Sequence, residues 1–245
     1  GALGWKARVL CSPMPDSLLE SDPRSALPAH VLVLVAHPRM EQSRINRRLM
    51  RAAASAESAA GVTAGAQVST PVTRIEVRDL YALYPDYLVD IQAERQALAQ
   101  ASLVVWQHPI HWYGMPPLMK LWADEVLGFG WAYGPGGHAL RGKALWLVTS
   151  TGGPAESYSP DSYNRYPFEA FLPPYEQTAA LCAMKFLPPM VIHGAHRRTD
   201  AEIESDAMLY AERLLRFPDW PDLAHAGNPT SPDIPVNARP PAADG

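Results

Sequence analysis

Short runs of apolar residues alternate along the chain with longer stretches in which apolar positions recur every three or four residues. Residues 31–36 form an unbroken apolar run, the pattern of a strand buried on both faces. Residues 44–59 follow with Ile45, Leu49, Ala52 and Ala53 at helical spacing, an Ala-rich amphipathic helix. Residues 72–77 alternate apolar with polar and predict a second strand, 91–101 a short helix and 103–107 a third strand. Proline opens a helix over 116–127, where its missing N–H costs nothing, and 143–149 predict a fourth strand. A helix over 174–185, a strand over 190–193 and a helix over 200–217 complete the series. This alternation predicts an α/β fold, a doubly wound five-stranded parallel sheet in the order 2-1-3-4-5 with helices on both faces.

The pattern occupies residues 30–217 and reads as one domain, with an N-terminal extension over 1–29 and a Pro-rich tail over 218–245. In that tail Pro218, Pro221, Pro229, Pro232, Pro235, Pro240 and Pro241 rule out a helix or central strand, so it is either disordered or strapped across the surface. The apolar content of 47% in 245 residues is enough for a substantial core. A net charge of −4 gives no broad electrostatic reason to expect nucleic acid. Cys11 and Cys182 are the only cysteines, so no disulfide framework is expected and a reducing, cytoplasmic setting fits. No apolar run approaches the roughly 20 residues that span a bilayer.

Several common chemistries are excluded by their missing parts. Residues 137–143 resemble a Walker A loop, but Ala144 stands where Ser or Thr is required and the segment runs into a strand rather than out of one. No Gly-x-Gly-x-x-Gly follows the first strand, and no Gly-x-Ser-x-Gly elbow is present. The pairs His108/His111 and His193/His196 lack the glutamate of a zinc helix and read as hydrogen-bonded loop histidines, so no metal site is expected. Cys182 sits in an apolar stretch and reads as core packing.

Three loops remain, each after a predicted strand, and all three meet at the carboxyl edge of the sheet, where open α/β folds bind ligands. The first holds His37, Ser43 and Asn46. Ser43 can cap the following helix or donate its hydroxyl to a phosphate at the same helix start, with His37 beneath it and the Asn46 amide one turn in. The second holds Trp112 and Tyr113, two bulky aromatics on a surface loop that suit a flat ring. The third holds Thr151, Gly152 and Gly153, whose backbone N–H groups can lie along a polar ring edge because glycine leaves the approach open. Phosphate, ring face and ring edge together suit a flavin.

The same residues resemble a known family. Residues 36–38, Ser43 and Asn46, the block 106–113, and residues 116–120, 130–137 and 150–153 are similar to NAD(P)H:quinone oxidoreductases of the DT-diaphorase type. Residues 84–86 and 164–167 resemble in particular the bacterial ancillary proteins of glutathione-regulated potassium-efflux systems. The resemblance implies a flavodoxin-like homodimer that binds FMN, or alternatively FAD, takes a hydride from NADH or NADPH and passes two electrons to a quinone. By motif match it implies His37, Ser43, Arg44, Ile45 and Asn46 at the phosphate and ribityl positions. Pro109, Ile110, His111, Trp112 and Tyr113 match the ring and ribityl positions, and Ser150, Thr151, Gly152 and Gly153 the ring edge. Tyr158, Asn164 and His111 fall at catalytic positions; Tyr158 matches a tyrosine that stabilises charge on the reduced flavin, and Asn164 stands near the place of its companion histidine. An asparagine cannot take a proton at neutral pH. The alternative role implied is a regulatory subunit that activates a potassium/proton antiporter from the inner face of the cell membrane.

Overall fold

A computed structural model describes residues 29–63, 73–220 and 223. Cys11, most of the N-terminal extension, position 72 and most of the Pro-rich tail lie outside the described residues. Five strands, β1 (His30–Val35), β2 (Arg74–Asp79), β3 (Leu103–Pro109), β4 (Ala144–Ser150) and β5 (Lys185–Ile192), form one sheet. Its order is β2-β1-β3-β4-β5, and every neighbouring pair is parallel. Among the described residues six α-helices connect and flank them: α1 (Arg44–Thr63), α2 (Leu80–Leu83), α3 (Ile91–Gln100), α4 (Pro117–Val126), α5 (Pro173–Leu181) and α6 (Asp200–Arg216).

Because side chains alternate across a strand, β1 feeds two cores. Leu32 and Leu34 join Trp106 and Leu147 on one face, against Leu98 of α3, Leu118 and Trp122 of α4 and Tyr175 of α5. Val31, Val33 and Val35 join Val105, Trp146 and Val148 on the other, against Ile45 and Leu49 of α1 and Tyr210 and Leu214 of α6. Burial of each such side chain contributes roughly 1.5–3 kcal/mol. This double burial is why β1, β3 and β4 read as near-continuous apolar runs. Cys182 is buried in the first core, as its apolar setting predicts.

The boundaries depart from expectation in three places. β5 begins at Lys185 rather than Met190, and Pro188 and Pro189 lie within it. Proline is tolerated because β5 is an edge strand whose register shifts between Trp146 and Val148 on its partner, where the Pro188 carbonyl accepts a bond from Trp146 Nε1 at 3.1 Å. Correspondingly α5 stops at Leu181 instead of reaching Lys185. Ala183 takes φ of 54°, with Ala183 N donating to Ala180 O and Met184 N to Ala179 O, the left-handed helix end usually built on glycine. The third difference is α2, unmarked by hydrophobic period and set by Asp79, whose carboxylate accepts from Tyr81 N and Ala82 N.

The α2–α4 side is also joined by a buried carboxylate. Glu94 is fully buried and accepts from Arg78 Nε at 3.0 Å and Trp122 Nε1 at 2.9 Å, and also from the Tyr84 hydroxyl. At the far end of α6, Trp220 packs edge-on against Trp146 at 4.7 Å and donates to Arg213 O, so the packed core continues past residue 217. Among the described residues no helix is long and apolar enough to cross a membrane.

Candidate functional site

Strand order reverses at β1, so the loops leaving β1 and β3 diverge and open a crevice at the carboxyl edge. A cleft of about 610 Å³ lies there. His37, Ser43, Arg44, Ile45 and Asn46 line it from the first loop and the start of α1; Pro109, Ile110 and His111 line it from the second loop, and Ser150, Thr151 and Gly152 from the third.

Ser43 is extended, with ψ of 114°, and its Oγ accepts from Asn46 N at 3.0 Å, so it caps α1. The first turn of α1 carries no acidic residue, and its leading residues Arg44, Ile45 and Asn46 line the cleft at the positive end of a helix. Arg44 stands beside them, its guanidinium held 2.6 Å from Asp200 at the start of α6. Asn46 is buried and shared between strands: Nδ2 donates to Ser150 Oγ at 3.0 Å, and its carbonyl accepts from Gln107 Nε2 at 2.9 Å. Its Oδ1 has no hydrogen-bond partner although it is buried. A hydroxyl, helix N–H groups and a guanidinium form a donor set that fits a phosphate, and the unpartnered Asn46 Oδ1 is an acceptor that fits a hydroxyl on a polar chain attached to it.

His37 Nδ1 accepts from Arg39 N at 3.1 Å, and its ring meets His111 edge-on at 5.9 Å. Burial, then the neighbouring His111, holds the His37 imidazole below its ordinary titration range; burial, then Arg39, does the same for His111. Both rings are therefore neutral hydrogen-bonding groups near neutral pH.

The second loop is tightly folded. His111 and Gly114 exchange backbone bonds of 3.0 and 3.1 Å, which drives Trp112 and Tyr113 into the left-handed region with φ of 48° and 63°. Such strain in non-glycine residues costs of order 1–3 kcal/mol each and concentrates at functional sites. Trp112 is 96% exposed, while Tyr113 stacks on Phe171 at 5.1 Å.

In the third loop the Thr151 hydroxyl donates to Gly153 O at 2.7 Å. A Cβ at Gly153 would meet Ser157 Oγ at 2.7 Å and the Tyr163 hydroxyl at 3.0 Å, so a side chain there would have to displace these polar tips. Gly152 is different: a Cβ there would make only ordinary contact with His196, at 3.6 Å, so packing does not demand glycine. Its bare face opens on the cleft, where a flat group can approach the backbone.

Five of the sequence-predicted residues stand beside the cleft rather than on its wall: Trp112, Tyr113, Gly153, Tyr158 and Asn164. The Tyr158 ring packs against Phe168 at 5.4 Å and His193 at 5.2 Å, and burial pushes its phenol up so that it stays protonated, with a hydrogen bond to Thr151 opposing. Asn164 joins two loops: Nδ2 donates to Ser157 Oγ at 2.8 Å and Oδ1 accepts from the Tyr113 hydroxyl at 3.3 Å. The wall also includes Pro38, Arg39, Gln42, Ala195 and His196, which motif reasoning missed. Ala195 and His196 come from the loop after β5, which a parallel sheet must bring to the same edge. His108 is fully buried, with Nδ1 bonded to Pro109 O at 2.9 Å, the hydrogen-bonded structural histidine expected. Among the described residues no cluster of three metal-ligating side chains occurs.

Comparisons with known proteins agree with this architecture. A family model described as a flavodoxin-like fold matches residues 29–214. The glutathione-regulated potassium-efflux system ancillary protein KefF of Klebsiella aerogenes is 39% identical over 197 residues, spanning 80% of this chain and 99% of the relative. The general stress protein 14 of Treponema denticola, solved in complex with FMN, is 34% identical with a TM-score of 0.66, covering 76% of this chain and 98% of that one. A Klebsiella pneumoniae protein described as a candidate quinone reductase is 26% identical with a TM-score of 0.64, covering 78% and 85%.

Proposed function

The chain belongs to the flavodoxin-like family, and on that footing we propose that it is an FMN-dependent NAD(P)H:quinone oxidoreductase whose cofactor lies in the cleft between β1, β3 and β4. The observation that carries this reading is the start of α1. A capped helix end free of acidic residues adjoins a buried Asn46 whose Oδ1 is unpartnered, at the sheet edge where open α/β folds bind their ligands. The FMN held by a solved neighbour of this fold favours FMN over FAD.

FMN, when bound, carries the redox chemistry, accepting a hydride from NADH or NADPH and passing two electrons to the quinone. In this assignment the Ser43 hydroxyl and the N–H groups of Arg44 and Ile45 hold the phosphate, and the Asn46 amide holds the polar chain. Pro109, Ile110 and His111 bound the ring, with Trp112 and Tyr113 beside it at the cleft's margin, and the backbone of Thr151 and Gly152 faces its polar edge with Gly153 next to them. Tyr158 keeps a protonated hydroxyl behind that edge, suited to stabilising negative charge. Asn164 braces Tyr113 and Ser157 and takes no proton.

A second reading rests on the KefF relative, matched over nearly its whole length. The chain then serves as an ancillary subunit docking on a potassium-efflux antiporter, with turnover secondary. Titration of the purified protein with FMN and with FAD, followed by visible absorption and by NADPH oxidation with a simple quinone, tests the first reading. Failure to bind either flavin would overturn it.

A further inference from the structure

We propose that Arg47 and Arg51, on the outer ridge of α1, form a docking row for an acidic helix of a partner protein, one that presents carboxylates a single turn apart. This rests on the ancillary-subunit reading for the existence of a partner, but the unmatched row is a property of the chain alone.

Arg39, Arg44, Arg47, Arg48 and Arg51 fall within residues 39–51 of a chain whose net charge is −4, and Glu41 is the only acid in that stretch. The last four line one side of a groove of about 260 Å³ between α1 and α6, with Asp200 and Glu204 on the other. They form two rows, each with its members one helical turn apart. In the inner row Arg44 is held 2.6 Å from Asp200, and Arg48 Nε donates to Glu204 at 2.6 Å. Arginines at i and i+4 on α1 thus meet carboxylates at i and i+4 on α6. The outer row, Arg47 and Arg51, has the same spacing and no such match. One N–H of the half-buried Arg47 goes to the Glu41 carbonyl at 3.0 Å, which leaves the rest of its fork unused. Arg51 is exposed, and among the described residues it bonds no acceptor.

The protein itself supplies the complement: α6 shows that two carboxylates on successive turns of a helix fit two arginines spaced in this way. Guanidinium suits the task, since its planar fork takes a carboxylate through two parallel bonds. A single phosphate fits less well, because the free pair stands about 6 Å apart along the ridge rather than around one point. A lipid or nucleic-acid surface would also bring its anions onto Asp200 and Glu204. Exposed ion pairs add little affinity and act mainly on encounter rate and register, so the row orients a partner whose other contacts hold it. Arg44 lines both this groove and the cofactor cleft, whereas Arg47 and Arg51 line only the groove. The row therefore lies outside the residues assigned to the cofactor.

The test titrates the full chain, its arginines labelled for NMR, with an alanine-rich helical peptide of about 20 residues that bears glutamates at i, i+4 and i+8, and with the same peptide bearing glutamines. Saturable shifts of the Arg47 and Arg51 Nε–H signals are expected with the glutamate peptide alone. Binding should weaken about fivefold or more when salt is raised from about 0.05 to 0.5 M, and about threefold or more in Arg51→Gln, read at Arg47. Equal response to both peptides, or no response to either, would overturn the proposal. So would tighter binding of inorganic phosphate, or of phosphatidylglycerol vesicles, than of the glutamate peptide. In a second arm, flux through a potassium-efflux antiporter in vesicles is measured with the parent and with Arg47→Gln/Arg51→Gln. The double variant is expected to need about fivefold more protein for half-maximal activation, with FMN binding and the thermal melt unchanged. Unchanged half-activation would overturn docking through this row. Failure of the parent to activate would instead overturn the ancillary reading, leaving the peptide titration to decide the row.

Discussion

Asn46 Nδ2 donates to Ser150 Oγ at 3.0 Å, a bond between residues 104 positions apart that joins the first turn of α1 to the end of β4. Gln107, within β3, donates its Nε2 to the Asn46 carbonyl at 2.9 Å. These two bonds tie the helix start to β3 and to the end of β4, so on the proposed flavin reading the spacing between the phosphate and ring positions is set by the protein's own hydrogen bonds. That preorganisation spares a cofactor the cost of ordering loops.

Ser43 is the cheapest point at which to break this end of the site. Ser43→Ala removes the cap on Asn46 N and the hydroxyl assigned to the phosphate, so FMN affinity should fall by about 1–3 kcal/mol, the range for a hydrogen bond to a charged group. Loss of the cap alone should cost about 0.5–2 kcal/mol of stability with the fold retained. Calorimetric titration beside a thermal melt separates the two. Unchanged FMN affinity would leave Ser43 as a cap only.

His108 makes the fold acid-sensitive. It is wholly buried, and loss of hydration, only partly offset by its bond to Pro109 O, lowers its pKa from 6.5 to about 4. Between those values the unfolded chain binds a proton that the folded chain refuses. Stability is therefore full above about pH 6.5 and is lost as pH falls toward 4, by up to roughly 3 kcal/mol from this group. Urea unfolding at pH 7.5 and 4.5 should show that loss, and His108→Phe, which keeps the stack on Tyr175, should flatten it. Equal stability of the parent at both pH values would refute the assignment.

What the sequence made legible was whatever local pattern or motif determines. Val31 to Val35 is read correctly as a central strand because both its faces are buried, and that same burial places His37 and Ser43 at the sheet edge. The start of β5 was hidden because Pro188 and Pro189 signal a break, and only its edge position makes them tolerable. The end of α5 was hidden because Ala183 does what glycine usually does. At the site, the loop after β5 was missed because His193 and His196 were weighed as metal ligands and not as the fourth loop of a parallel sheet. The two partners of Asn164, Ser157 and Tyr113, are tertiary facts with no local signal.

Trp112 points to a second copy of the chain. An indole 96% exposed, on a strained loop at the mouth of the cleft, with Tyr163 and Tyr166 also exposed, is costly to leave in water, and interfaces are enriched in such aromatics. The protein is expected to be a homodimer that completes the quinone pocket across this face. Light scattering at assay concentration should give twice the chain mass, and Trp112→Ser should weaken association and raise KM for the quinone together. A fully active monomer would refute this.

Tyr158 separates catalyst from regulator. If charge on the reduced flavin is stabilised chiefly by the Thr151 to Gly153 backbone, Tyr158→Phe removes one supporting hydroxyl and keeps the ring packed against Phe168 and His193. Turnover should then fall by no more than about 100-fold, the loss associated with one proton-transfer or oxyanion group, while FMN stays bound. Quinone reduction and activation of a potassium-efflux antiporter are to be measured side by side for this variant and for a flavin-deficient Ser43 variant. Parallel loss of both activities ties regulation to turnover. Activation that survives in Tyr158→Phe but fails in the flavin-deficient variant assigns the flavin a structural part in docking, because the bound cofactor then serves to fix the loops around the cleft, whereas activation that survives in both makes the protein a regulatory subunit first and an enzyme second.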